Sequence, residues 1–195
     1  MKQNTNKLIL ISGDLASGKS TFSKELSKQI NVPVFNKDNI KEILGDVIGF
    51  KDREENLKLS VATFEIFEYM SKTLMKSNIT YILESNFRSK ELEKLKTLSI
   101  ENNYEIITFV LQADIGVLHK RFMDRINSGT RNKVHMSVDL SNYSDFEKLI
   151  KVMRMVEYPG RVYRIDTTQF NIDYNEIKRL IDNEKIWRTN KTVWT

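Results

Sequence analysis

Residues 13–20 read GDLASGKS and follow directly on the apolar run KLILIS (7–12). The spacing is G-x-x-x-x-G-K-S, in a chain with only seven glycines in 195 residues. That pattern carries meaning when a strand precedes it and a helix follows, and both are legible here. KLILIS has the length and continuity of a buried strand. In KSTFSKELSKQI (19–30), Phe22, Leu26 and Ile30 recur four apart on one helical face. Gly13 and Gly18 free the backbone to turn its N–H groups inward, so that Asp14, Leu15, Ala16 and Ser17 form a cradle for phosphate oxygens. Lys19 adds a mobile cation for β- and γ-phosphates, Ser20 offers its hydroxyl to Mg²⁺, and Thr21 completes the segment. The helix that begins there contributes its partial positive charge. The alternative is a plain Gly-rich turn between a strand and a helix.

Strand and helix patterns alternate along the rest of the chain. Strands are expected at 32–36 (VPVFN), 79–85 (ITYILES), 104–113 (YEIITFVLQA) and 161–168 (RVYRIDTT). Helices are expected from KDNIKEIL, over about 53–77, over 89–103 with Ser89 as cap, from Asp114 through DIGVLHKRFMDRIN, over 145–156 and over 173–186. Residues 128–143 are polar and irregular, and the tail 187–195 is left unassigned. Five strands alternating with helices predict an α/β fold with a mostly parallel five-stranded sheet, in one domain over residues 1–195. In such folds ligands bind beyond the carboxyl ends of the strands. The chemically able residues do follow the strands.

After the second strand comes NKDNIKE. Asp38 is placed to accept a proton from a substrate hydroxyl, or simply to cap a helix. Lys41 shares a helical face with it and is either a contact for an anionic substrate or a solvated partner. After the third strand comes ESNFR. Glu84 ends an apolar strand, where a carboxylate is costly unless a cation such as hydrated Mg²⁺ waits. Asn86 and Arg88 follow in a loop suited to substrate contact. After the fourth strand, Arg121 and Arg125 lie on one helical face and Arg131 follows a Ser-Gly-Thr break. Arginines beside a closing loop can neutralise charge on a triphosphate; the alternative is a basic helix balanced by nearby acids. His135 stands in the polar segment and is ambiguous. After the fifth strand, Asp166, Thr167 and Thr168 could pass under a base.

Composition removes several classes of function. There is no cysteine, hence no disulfide, thiolate nucleophile or Cys–zinc site, which suits a cytoplasmic protein. Two histidines exclude a His-rich metal site. No apolar run is long enough to cross a membrane. The net charge of +5 suits a polyanionic ligand such as a nucleotide, but the cations are interspersed and form no tract of the kind that marks nucleic-acid binding.

Taken together, GDLASGKS, NKDNIKE, LESNF, RFMDRINSGTRNK and RIDTT resemble the P-loop kinase group that includes polynucleotide 5′-kinases, zeta-toxin-like kinases and many small ATP-dependent kinases. The resemblance spans roughly residues 7–168. It implies the three-layer P-loop NTPase fold with a mobile lid over about 121–143, ATP and Mg²⁺ as cofactors, and transfer of the γ-phosphoryl group to a hydroxyl. By that resemblance Lys19 and Ser20 match the phosphate and Mg²⁺ residues, Asp38 the general base, Arg125 the lid arginine, and Asp166 to Thr168 the segment near adenine. The departures are Glu84 where many members carry Asp, Lys41 where the polynucleotide kinases carry Arg, and RNKVH in the lid, where Asn132 takes a histidine position and only Arg131 and His135 are kept. The acceptor is expected to be a small molecule, with a nucleic-acid 5′-hydroxyl as the alternative. A regulatory or slow ATPase without an acceptor, and a nucleic-acid-binding module, are the rival readings.

Overall fold

A computed structural model describes residues 6–129, 132–135 and 139–182, and the backbone of 193–194. Five strands, β1 (Lys7–Gly13), β2 (Val34–Asn36), β3 (Tyr81–Glu84), β4 (Glu105–Gln112) and β5 (Arg161–Asp166), are all parallel to their neighbours. The helices are α1 (Lys19–Ile30), α2 (Lys37–Ile48), α3 (Arg53–Lys76), α4 (Ser89–Glu101), α5 (Ile115–Asn127), α6 (Tyr143–Met153) and α7 (Tyr174–Ile181). The expected α/β fold with its five parallel strands is what the chain forms. A sixth strand, β6 (Val193–Trp194), adds antiparallel to β5 from within the tail that the sequence left unassigned. The sheet order is β2-β3-β1-β4-β5-β6.

Helices cover both faces of the sheet, and the side-chain alternation of β1 shows how. Leu8 and Leu10 join Phe64, Phe67, Leu92 and Leu95 of α3 and α4 on one face. Ile9 and Ile11 join Phe22, Leu26, Ile177 and Leu180 of α1 and α7 on the other. All four β1 side chains are fully buried, and each such burial stabilises by about 1.5–3 kcal/mol. A third cluster packs α5 on α6 through Leu118, Phe122, Phe146 and Ile150.

Because the five strands are parallel, their carboxyl ends share one edge. Register puts Asn36 beside Glu84, Glu84 beside Ile11, and Gly13 beside Leu111. The ends of β1, β2, β3 and β4 therefore converge where the phosphate loop begins.

Several local expectations are corrected. Asn36, not Asp38, caps α2: its side chain accepts from the Asn39 N–H at 2.9 Å, and Asp38 sits in the first turn. Helix α4 is capped at Arg88, with Glu91 accepting from the Arg88 N–H at 3.0 Å, so Ser89 is already helical. Helix α6 begins earlier than expected because Asn142 caps it, accepting from Ser144 and Asp145. Helix α2 runs on to Ile48, and α7 ends at Ile181. Within the expected lid, residues 121–127 belong to α5 and 133–135 form one 3₁₀ turn. Arg131 lies outside the described residues. Among the described residues no helix is long and apolar enough to cross a membrane.

Candidate active site

Gly13 and Gly18 hold the phosphate loop for steric reasons that the structure makes explicit. Gly13 has φ +126, and a Cβ there would stand 2.0 Å from the Leu111 carbonyl oxygen. Gly18 has φ +86, and a Cβ there would stand 2.2 Å from the Phe170 ring. The loop thus lies flush against β4 on one side and against the segment after β5 on the other. Lys19 folds back over it, donating to the carbonyls of Asp14 at 2.5 Å and Gly13 at 3.3 Å. Burial holds the Lys19 ammonium below its usual pKa, partly offset by Glu84, Asp38 and Asp14. Ala16 takes the left-handed conformation at φ 58 without being glycine.

Glu84 ends β3 almost wholly buried. Each of its carboxylate oxygens accepts from a hydroxyl of α1. Ser20 donates to Oε1 at 2.8 Å and Ser23, one turn along α1, donates to Oε2 at 2.7 Å. Asn36 in turn donates to the Ser20 hydroxyl at 3.3 Å. This is a compact set of hard oxygen donors beside the phosphate loop, and it fits Mg²⁺, which takes one or two protein oxygens together with substrate phosphates. No group of three or more carboxylate, His or Cys side chains of metal-binding type exists among the described residues.

Two cavities meet at this edge. One, about 260 Å³, is lined by loop residues Leu15 to Thr21 with Asp38, Glu84, Asn86, Arg121 and Arg125. The other, about 230 Å³, is lined by Leu15, Ala16, Asp38, Lys41, Asn86, Phe122, Arg125, Val134 and His135. Leu15, Ala16, Asp38, Asn86 and Arg125 belong to both. Among the described residues neither the Asp38 carboxylate nor the Arg125 guanidinium has a hydrogen-bond partner. A larger cavity, about 460 Å³ between α4 and residues 155–159, contains none of the candidate site residues.

The remaining expected residues are distributed unevenly. Arg121 lines the first cavity, but its guanidinium also donates to the carbonyls of Thr167 and Thr168 at 3.0 and 2.9 Å, holding the strap after β5. Thr167 is buried and donates its hydroxyl to Gln112 O. Asp166 accepts from Thr168 N and lines a separate cavity of about 180 Å³ with Arg154 and Arg164. Arg88 is exposed and lines neither of the two adjoining cavities. Lys41 lines the second cavity, yet two of its donors are engaged, by Asn56 Oδ1 at 2.6 Å and Val134 O at 3.3 Å. His135 pairs with Glu42 at 2.9 Å.

The fold and the cradle can be set beside known structures. A crystal structure of a Chloroflexus aurantiacus protein, provisionally described as a kinase, superposes with a TM-score of 0.79 at 27% identity, covering 94% of this chain and all of that one. Shikimate kinase from Bacteroides thetaiotaomicron matches with a TM-score of 0.55 at 14% identity over 90% of this chain and 98% of its own. The Mycobacterium tuberculosis APS kinase, solved with AMPPNP and APS, matches with a TM-score of 0.56 at 10% identity over 91% and 96%. The chain has the fold of the P-loop kinases. No family model and no curated protein matches its sequence.

Four residues of this P-loop edge escaped sequence reasoning. Ser23 stands one helical turn from Ser20 and was visible as a spacing. Phe170, Asn56 and Arg154 reach the site from distant segments, and no local pattern marks them. Arg154 grips Asp14 with Nη2 at 2.6 Å and donates to Ala113 O at 2.6 Å, tying the loop to the end of α6.

Proposed function

We propose that this protein is an ATP-dependent kinase that transfers the γ-phosphoryl group to the hydroxyl of a small molecule. One observation carries the reading: Asp38, Asn86 and Arg125, with Leu15 and Ala16 of the phosphate loop, form the common wall of two adjoining cavities, and only one of the two is also lined by Lys19, Ser20 and Glu84. A nucleotide sensor has no need of the second. The loop and Lys19 hold the β- and γ-phosphates, and the strap held by Arg121 takes the base side. Ser20 and Glu84 would hold Mg²⁺, which spreads the charge of the phosphates when bound. Asp38 accepts the proton of the acceptor hydroxyl. The oxygen forms its bond to the γ-phosphorus as the bond to the bridging oxygen breaks, and ADP leaves with that electron pair. Arg125, with no partner of its own among the described residues, neutralises charge on the phosphoryl group in transit. Such catalysis is mostly positioning and electrostatics, and these groups are sufficient for it.

The test is label transfer from γ-labelled ATP with Mg²⁺, offering a small-metabolite extract and a 5′-hydroxyl oligonucleotide in parallel, with Lys19→Ala as control. Label on a small molecule that the control does not produce is the expected result. Label on the oligonucleotide would move the acceptor to nucleic acid. Nucleotide binding with label on neither would favour the sensor.

A further inference from the structure

The second cavity carries information about its occupant, given the kinase reading above. Its roof is the 3₁₀ turn 133–135, and that turn is docked on α2 and α3 at successive points. Asn132 donates to Asp46 at 3.2 Å and accepts from the Val134 N–H at 3.0 Å. Val134 is buried over Gly45, where a Cβ would stand 2.2 Å from its Cγ1. The Val134 carbonyl accepts from Asn56 at 3.0 Å and from Lys41. The roofed volume, about 230 Å³, is below the roughly 300–1,000 Å³ of ordinary ligand pockets.

Within this small volume the charges do not balance. Asp38 is the reacting carboxylate, and Arg125 also faces the phosphate cavity. The His135 ring is engaged by Glu42. Lys41 remains. Its ammonium is half-buried, its two partners are neutral oxygens, and no carboxylate of the described residues comes within 4.0 Å of it. Burial lowers its pKa, and the nearby Lys37 and Arg88 push the same way against Asp38. A half-buried cation that hydrogen-bonds only neutral oxygens is incompletely compensated, and one of its three donors is still free for a ligand.

We infer that the acceptor is a small hydroxylated anion, a carboxylate or a phosphate ester of a few carbons, whose charge Lys41 pairs with while Asp38 takes the hydroxyl proton. Lys41 is then the residue that separates anionic from neutral alcohols.

The experiment is ADP release with matched acceptors: glycerol, glycerate and glycerol 3-phosphate, then sorbitol, gluconate and sorbitol 6-phosphate. The expected result is a kcat/KM at least about tenfold higher for an anionic member than for its neutral counterpart. The carboxylate and phosphate arms decide which anion. Lys41→Met should raise KM for the anion on the order of 10–100-fold and erase the preference. Asn132→Ala, which frees the roof from Asp46 but leaves both partners of Lys41 in place, should lower turnover without changing the anion-to-neutral ratio. Equal or better use of the neutral alcohol, or a preference that survives Lys41→Met, overturns the inference and leaves the kinase reading intact. Should no member of the panel turn over, Lys41 acylation in the Mg·AMPPNP complex is followed by mass spectrometry. Protection by glycerate or inorganic phosphate supports the anion site, and no protection by either overturns it. AMPPNP binding measured alongside reports on the nucleotide half independently.

Discussion

The Asp14 carboxylate, 1% exposed, is gripped by the Arg154 guanidinium from 140 residues away, through Nη2 at 2.6 Å and Nε at 3.2 Å. Close by, the Ser12 and Tyr158 hydroxyls meet at 3.1 Å. The phosphate loop is therefore pinned from behind by the segment that follows α6. Arg154→Met leaves a buried carboxylate without its cation, which costs about 3–5 kcal/mol. Denaturant unfolding should show that loss, and the double change with Asp14→Asn should recover most of it. If the single variant is as stable as the parent, the pin contributes nothing.

Asp38 is exposed, and its carboxylate has no hydrogen-bond partner among the described residues. Since Asn36 caps the helix, Asp38→Asn should change stability by no more than about 0.5 kcal/mol. As general base, its loss should lower kcat on the order of 10²–10⁴-fold while nucleotide affinity stays within about twofold. Stopped turnover with unchanged nucleotide binding is the signature. Full turnover in the variant would remove Asp38 from the mechanism.

These two residues mark what the sequence made legible. The phosphate loop, the parallel strands and the gathering of polar residues beyond strand ends are written in local spacing: glycine intervals, apolar runs and helical periodicity. Local spacing also put Asp38 at the rim. Arg154 gives no such sign, because an arginine at the end of a basic amphipathic helix looks the same whether it meets water or a buried carboxylate. Asn56 escapes for a related reason. What it holds is the carbonyl of Val134, and a backbone carbonyl has no residue type to recognise. Glu84 shows the opposite case: its need for polar company at the end of an apolar strand was plain, and the Ser23 hydroxyl that joins Ser20 in meeting it became visible only once α1 was packed beside β3.

Lys19 makes a pH prediction. Burial lowers its pKa from 10.5, so in the free protein the unfolded chain holds this proton to higher pH than the folded one. Stability from this group therefore rises with pH between the lowered value and 10.5. Nucleotide binding has the opposite sign, because phosphate needs the ammonium. ATP affinity should begin to fall at a pH below 10.5, and the fall should vanish in Lys19→Met. Calorimetric titration across alkaline pH reads it. An affinity that is flat to pH 10.5 would exclude the ammonium from the contact.

Ala16 stands in the left-handed region, at φ 58, within the phosphate loop. That conformation costs an L-residue about 1–2 kcal/mol, which glycine avoids. Glycine loses about 0.5–1 kcal/mol in chain entropy in exchange. Ala16→Gly should therefore stabilise the protein by roughly 0.5–1 kcal/mol, seen as a higher melting temperature. A lower one would mean that the Ala16 methyl contributes more through its packing than its backbone strain costs.

Helix α2 carries Asp38 in its first turn and, within the next two turns, Lys41, Glu42, Gly45 and Asp46, the side chains and bare backbone on which the 132–135 segment rests. A helix of this length moves as a rod. Whatever tilts it to suit the roof also re-aims the carboxylate at its start. Exchanging roof residues alone, to admit another acceptor, would leave the base pointing at the old hydroxyl. Rod and roof form one cassette, to be transplanted or redesigned together.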